Sequence, residues 1–401
     1  MANVIADGTT KQHWMPRFQR ALDKVLVSKA VVDFYTGEDR IIHNPYQSTP
    51  AGSDGTAATA YTISDFTLTD DTLTVSRRAT VAEHIDNIEQ LQVRYDLAMA
   101  RADRHAYVVK DKIDQYMFAL PVAFSGVQDI DAGTVSTGTA NGTPFQVTSS
   151  TIDELANYIR TSLMLNNSAD ARGLFWVVTP FEAAALAAYT QNNGFTTADY
   201  AIRNGFTTQN FAGLEIYVSN NLYHTVTLGL ATNVTAGDTI TVAGVVFTAR
   251  ATPALPGEFD IGGSADATRV IIANAINGSA TGQNSATGYF EVSASDRLKL
   301  QRLQVTATDV PASDIMNVVA YGTLIVSEAL TDGTDTWTAV ARHTIAGVKG
   351  TMMLAMPTNG WEFEKKAVSG KHGREVVTSQ IYNGTIWQEQ KGEIFDVITK
   401  A

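Results

Sequence analysis

Residues 80–119, TVAEHIDNIEQLQVRYDLAMARADRHAYVVKDKIDQYMFA, carry the longest hydrophobic period of this chain. Apolar side chains recur every three or four positions, which predicts one long amphipathic helix of about 57 Å. They are Val81, Ile85, Ile88, Tyr95, Met99, Ala102, Ala106, Val109, Ile113 and Tyr116. Leu91, Leu97 and Val108 widen this stripe, which favours a helix lying across a sheet. A coiled-coil seam is the alternative.

The stretch before it, residues 39–79, is predicted to form one long hairpin. An outgoing strand, DRIIHNPYQ, is followed by a low-complexity tip and by a return strand, YTISDFTLTDDTLTVSRRA, with pieces of period-two alternation. A hairpin this polar is not stable alone in water, so we expect another molecule to cover it. A mobile surface loop is the alternative. The predicted contact residues here are Tyr61, Ile63, Phe66, Leu68, Arg77 and Arg78.

Residues 9–31 have the spacing of a short amphipathic helix, with Trp14 and Phe18 on its apolar side. Three roles stay open for this segment: packing on the body of the protein, docking on a neighbouring subunit, or contact with nucleic acid. Trp14 and Phe18 are therefore also candidate contacts between subunits.

The middle of the chain alternates helix and strand. A capping-box pattern at 151–154 predicts a helix start, and LFWVVTP at 174–180 predicts a buried strand. Pro180 is suited to the first turn of the next helix, and GLEIYVSNNL at 213–222 predicts another strand. Strand, helix and strand in this order indicate an α/β block.

Composition changes near residue 226. Residues 226–336 are rich in Thr, Val, Gly and Ala and hold 5 Lys and Arg against 11 Asp and Glu. They are predicted to form an inserted β-rich domain with one helix, SADATRVIIANAING. The C-terminal part is predicted to be strands joined by turns at Asn383-Gly384 and Lys391-Gly392.

The composition argues against several functional classes. Only 17% of the 401 residues are charged, and the net charge of −12 disfavours sequence-specific binding of nucleic acid. There is no cysteine, no apolar run of membrane-spanning length and no signal peptide, which indicates a cytosol-like compartment. The seven histidines are scattered, and no catalytic or phosphate-binding motif occurs. We therefore expect neither an enzyme nor a cofactor or metal site.

The order of these parts resembles the major capsid proteins of tailed bacteriophages, which have the HK97-like fold. The resemblance rests on the arm, the long hairpin (the E-loop of that family), the long spine helix, the block WVVTPFEAAALAAY…GLEIYVSNNL and the closing strands GREVVTSQIYNGTIWQEQKGEIFDVITK. It implies an α+β fold with an inserted β-rich domain. The implied divisions are an N-terminal arm at 1–38, the E-loop at 39–79, a peripheral domain at 80–135 and 352–401, an axial domain at 136–225 and 337–351, and the insertion at 226–336.

The resemblance also implies partners. Copies would form the pentamers and hexamers of a shell around DNA, assembled in the bacterial host cytoplasm with a portal protein and, as an optional partner, a decoration protein. Only about 38 residues precede the hairpin, so a separate scaffolding protein is expected. Residues 41–79 contain no lysine, so the covalent weld that some members make there is not expected. A β-rich phage tail or adhesion protein is the alternative.

Overall fold

The computed structural model describes residues 27–47, 65–85, 97–166, 173–192, 210–367 and 372–400, and within them the fold is α+β. None of the helices in these ranges is long and apolar enough to cross a membrane. The α-helices are α1 (Leu97–Ala123), α2 (Ala132–Thr137), α3 (Ile152–Leu165), α4 (Pro180–Asn192), α5 (Ala265–Asn277) and α6 (Ala294–Arg302).

The strands of the same ranges form four sheets. They are β1 (Asp33–Tyr35), β2 (Ile41–Gln47), β3 (Leu68–Thr74), β4 (Arg77–Ile85), β5 (Gln128–Ile130), β6 (Phe145–Gln146), β7 (Leu174–Val178), β8 (Asn210–Phe211), β9 (Leu214–Val218), β10 (Tyr223–Gly229), β11 (Thr239–Val242), β12 (Val245–Arg250), β13 (Glu258–Asp260), β14 (Thr306–Val310), β15 (Ile315–Tyr321), β16 (Val326–Ala329), β17 (Ala341–Val348), β18 (Met352–Ala355), β19 (Trp361–Ala367), β20 (Arg374–Ile386) and β21 (Ile394–Lys400).

The largest sheet has ten strands, in the order β14-β15-β10-β17-β7-β9-β8, with β21 pairing β17, β5 and β6. Helices α3 and α4 pack on one face of it around Trp176 and Phe395, and α1 packs on the other face around Phe175 and Ile345. A third core joins β14, β15 and β10 to the four-stranded sheet β13-β12-β11-β16 and to α5.

The predicted helix over 80–119 is wrong at its N-terminal end. Residues 77–85 form β4, which pairs with β20 from Arg77 opposite Tyr382 to Ile85 opposite Arg374. Val81 and Ile85 are four residues apart, a spacing that fits a helix and equally fits one face of a strand. Pairing with β20 decides between the two. The helix that follows, α1, has 27 residues and is about 40 Å long. Residues 86–96 lie outside the described ranges.

The turn predicted at Asn383-Gly384 is also wrong, because β20 runs straight through both residues. The glycine is needed for packing instead, because a Cβ at position 384 would overlap the sulfur of Met117 on α1. Asn383 uses its side chain to accept a hydrogen bond from the Tyr116 hydroxyl at 2.9 Å. The Asn-Gly pair therefore marks a place where helix and sheet are in close contact.

Three smaller predictions need correction. The segment YFEVSASDRLKLQRL contains helix α6, capped by the Ser293 hydroxyl, where only strand was expected. Helix α2 lies within residues 130–150, whose Gly-, Thr- and Ser-rich composition predicts a connection without a helix. The helix start at 151–154 is confirmed, but Thr151 gives no cap hydrogen bond and instead donates from Oγ1 to the Gln146 carbonyl at 2.9 Å.

A buried carboxyl attaches the start of the described chain to α1. Asp114 accepts hydrogen bonds from the backbone N–H of Val27 at 3.1 Å and of Ser28 at 3.2 Å, and from the Ser28 hydroxyl. Burial raises the pKa of Asp114 to about 6, although these hydrogen bonds oppose the rise. The contact places the turn Ser28–Ala30 directly before β1.

We expect Gly384→Ala to lower the free energy of unfolding by about 1 to 3 kcal/mol, because the new methyl group would overpack the contact with Met117. Gly333→Ala is the matched control, since a Cβ there meets nothing within 4 Å. Urea unfolding measures both variants. Equal midpoints for the two would contradict the packing role.

Asp114→Asn is expected to change how stability depends on pH. Because the folded-state pKa lies above the ordinary 3.8, the stability from this group is present below about pH 4 and is lost as the pH rises to about 6. The natural chain should therefore lose up to about 3 kcal/mol relative to Asp114→Asn across that interval. Urea titrations at pH 4, 5, 6 and 7 measure this difference, with exposed Asp65→Asn as the control. A difference independent of pH would refute it.

Candidate assembly site

The predicted hairpin strands pair with each other over residues 41–47 and 68–74, whereas residues 77–79, predicted as the end of the return strand, belong to β4 and pair with β20. β2 and β3 are antiparallel, from Ile41 opposite Thr74 to Gln47 opposite Leu68. They form a two-stranded sheet separate from the other three. The tip, residues 48–64, lies outside the described ranges and includes Tyr61 and Ile63.

The inner face of the hairpin packs against the rest of the subunit at the base of the hairpin. Leu73 and Val75 are buried in a small core with Met353, Ala355 and Trp387. Two hydrogen bonds reinforce the contact at this base. One runs from the Asn383 side-chain amide to the Thr74 carbonyl at 2.7 Å, and the other from the Gln388 N–H to the Asp71 carboxylate at 2.9 Å. These contacts therefore fix the direction in which the hairpin leaves the rest of the subunit.

The outer face and the distal end are open to solvent. Ile41 is 49% exposed, Leu68 is 60% exposed and Phe66 is 70% exposed. His43 Nδ1 lies 2.6 Å from Asp70 Oδ2 on the same face, and both side chains are about half exposed. Such an exposed pair contributes little to stability.

Strand parity explains why the apolar residues of the return strand separate in this way. Leu68 and Leu73 are five positions apart, so their side chains point to opposite faces. Leu73 therefore joins the body, and Leu68 points away from it. The same rule could have identified Ile41, which was not among the predicted contact residues. Ile41 and Ile42 are neighbours, so only Ile42 can pack inward.

The two predicted arginines lie on β4, at the foot of the hairpin. The guanidinium of Arg77 is 4.1 Å from the centroid of the Tyr116 ring, so this side chain packs on α1 of its own chain. Arg78 Nη1 lies 3.9 Å from Glu362 Oε2, and both side chains are more than half exposed. Trp14 and Phe18 lie outside the described ranges.

Within the described ranges, no three His, Asp or Glu side chains are grouped to hold a metal ion. The hairpin has a fixed base and presents exposed apolar side chains beside acidic ones. Such a surface is suited to association, because a bound partner would remove its apolar area from water and pair with its charges.

No family model and no curated protein matches this chain. Solved structures do match along nearly its whole length. The capsid of the native GTA particle is 9% identical with a TM-score of 0.47, covering 100% of this chain and 99% of that one. The capsid structure of the cyanophage P-SCSP1u is 12% identical with a TM-score of 0.46, covering 92% and 86%. The structure of Mycobacterium phage Che8 is 12% identical with a TM-score of 0.46, covering 90% and 85%. In overall arrangement the chain is similar to phage capsid structures.

Proposed function

We propose that this chain is a major capsid protein with the HK97-like fold, which self-assembles into the pentamers and hexamers of an icosahedral phage shell enclosing double-stranded DNA. The observation that carries the proposal is the hairpin. Its base is fixed on the body, whereas Phe66, Leu68 and Ile41 stay exposed. A second copy that covers them would complete the fold of the first.

The energy of such a contact suits a reversible assembly. Fully burying a large apolar side chain is worth about 1.5 to 3 kcal/mol. These three side chains are 49% to 70% exposed, so covering them removes only that part of their surface from water. Each hairpin therefore contributes a few kcal/mol before the cost of association is subtracted. One contact is weak, but closed symmetry repeats it in every subunit.

In this proposal the chain is divided into the parts that its sequence predicts. Residues 1–38 are the arm, 39–79 the E-loop, 80–135 and 352–401 the peripheral domain, 136–225 and 337–351 the axial domain, and 226–336 the insertion. The ten-stranded sheet continues from β17 through β10 into β15, so the axial domain and the insertion share one sheet in this division.

The partners follow from the same proposal. A net charge of −12 suits a container that encloses DNA without binding its sequence. The shell is built with a separate scaffolding protein and a portal protein, and a decoration protein is a further candidate partner. Assembly takes place in the bacterial host cytoplasm. The chain acts as a structural protein of the virion and not as an enzyme.

Negative-stain microscopy of the purified or co-expressed chain tests the proposal. The expected result is closed shells, or rings of five and six subunits. A monodisperse monomer under all assembly conditions would overturn it, and so would fibres of the kind that a tail or adhesion protein forms.

Phe66→Ser should weaken assembly and leave the subunit intact. Loss of one apolar contact per interface is expected to raise the concentration needed for assembly about 10-fold, which corresponds to about 1.4 kcal/mol. The unfolding midpoint of the subunit should not change, because Phe66 is 70% exposed. Light scattering measures assembly.

Leu255→Ser is the control, since Leu255 is 63% exposed but lies far along the chain from the hairpin. If both variants assemble like the natural chain, the hairpin does not carry the contact.

A further inference from the structure

A pocket of about 300 Å³ lies beside the ten-stranded sheet, at the start of α4 and the loops before β16 and β17. Its apolar lining includes Phe181, Leu324, Ile325 and Val340. Ile325 is 64% exposed and Phe181 is 49% exposed, so apolar surface at this site faces water. None of these residues belongs to the hairpin.

A buried arginine forms the polar side of the pocket. Arg342 is 5% exposed, and its Nε donates to Glu182 Oε1 at 2.8 Å. Its guanidinium is 4.9 Å from the centroid of the Phe181 ring. Nη2 is buried and has no hydrogen-bond partner among the described residues. A buried donor left in this way destabilises the fold, and a suitable acceptor would offset that cost.

Glu182 is fully occupied and cannot satisfy the remaining donors of Arg342. Its Oε1 also accepts from the Thr399 hydroxyl at 2.8 Å. Its Oε2 accepts from the Thr179 N–H at 3.0 Å and from the Thr179 hydroxyl. The acceptor for the free end of the guanidinium must therefore come from outside these residues.

The charge at the pocket favours a carboxylate. Lys400 also lines it and adds a second cation beside Arg342. His224 is the third titratable residue of the lining. Burial is the main cause that lowers its pKa to about 4, so His224 is neutral at pH 7. Glu182 balances one of the two cations, which leaves a net positive charge. A guanidinium fork binds carboxylates more strongly than neutral acceptors.

The size of the pocket restricts the ligand further. A volume of about 300 Å³ is at the lower end of the range for small-molecule sites. It suits one large side chain and a neighbouring carboxylate better than an extended ligand. A protein segment with an apolar residue next to an acidic one has this chemistry.

The hairpin presents such a segment. Phe66 is 70% exposed, and the residue before it, Asp65, is exposed and forms no ion pair with the described residues. Trp361 and Glu362 form a second exposed pair of this kind. The Glu362 carboxylate, however, already accepts from the Ser379 hydroxyl at 3.3 Å and lies near Arg78.

We propose that the pocket receives Phe66 and Asp65 from the hairpin of a second copy of the chain. Phe66 fills the apolar side, and the Asp65 carboxylate accepts from Arg342 and pairs with Lys400. This rests on the proposed assembly function and names the surface that the hairpin covers. It also explains why a buried arginine keeps an unused donor in the isolated subunit.

Disulfide trapping tests the placement directly, because the chain has no cysteine of its own. In Thr67→Cys/Thr323→Cys, one cysteine follows Phe66 and the other lines the pocket. A disulfide requires Cα atoms about 4.4 to 6.8 Å apart. Oxidised particles are expected to give a ladder of linked subunits on a non-reducing denaturing gel. Particles that give only monomers would overturn the proposal.

Thr67→Cys/Thr252→Cys is the matched control, since Thr252 is exposed but does not line the pocket. An equal ladder from the control would also overturn the placement.

Adding Asp65→Asn to the first pair should slow ladder formation about 10-fold or more. An unchanged rate would show that the Asp65 carboxylate does not contribute to the contact. If the natural chain forms particles but the double-cysteine variant gives no ladder, only the proposed contact with the pocket is wrong. If the natural chain forms no particles, the proposed assembly function is wrong as well.

Discussion

Helix α1 packs directly on strand β20 where Met117 meets Gly384, and this contact leaves no room for a side chain at position 384. Strand β20 pairs with β18, β19 and β4, so its position fixes the five-stranded sheet. With no side chain at 384, α1 can lie directly on this strand. The Tyr116 hydroxyl then reaches Asn383, whose amide in turn donates to the Thr74 carbonyl at the base of the hairpin. The direction of the hairpin is thus tied to the helix.

A fixed base changes what an exposed hairpin can do. A mobile loop would lose conformational entropy on binding, and that loss would oppose a weak contact. Here the base is already packed by Leu73 and Val75, so part of this cost is met during folding. Phe66 and Leu68 remain exposed at the end of the described part of the hairpin. In the proposed shell, the folding of one subunit therefore prepares its contact with the next.

The sequence predicted the paired strands of the hairpin, the middle helices and the strand-rich character of residues 226–336, because their periods and turn residues act locally. It failed where a local pattern had two solutions. Val81 and Ile85 fit a helix and a strand alike, and only pairing with β20 selects the strand. Asn383-Gly384 fits a hairpin turn, but Met117 uses the glycine for close packing. The unused donor of Arg342 depends on residues far apart in the chain and has no local signal.

A cryo-electron microscopy reconstruction of the assembled particle at side-chain resolution would show where each hairpin lies. Each hairpin is expected to lie on a neighbouring subunit, with Phe66 and Leu68 removed from solvent and the base still held by Leu73 on its own subunit. A particle whose hairpins extend into solvent, or fold back on their own subunit, would contradict it.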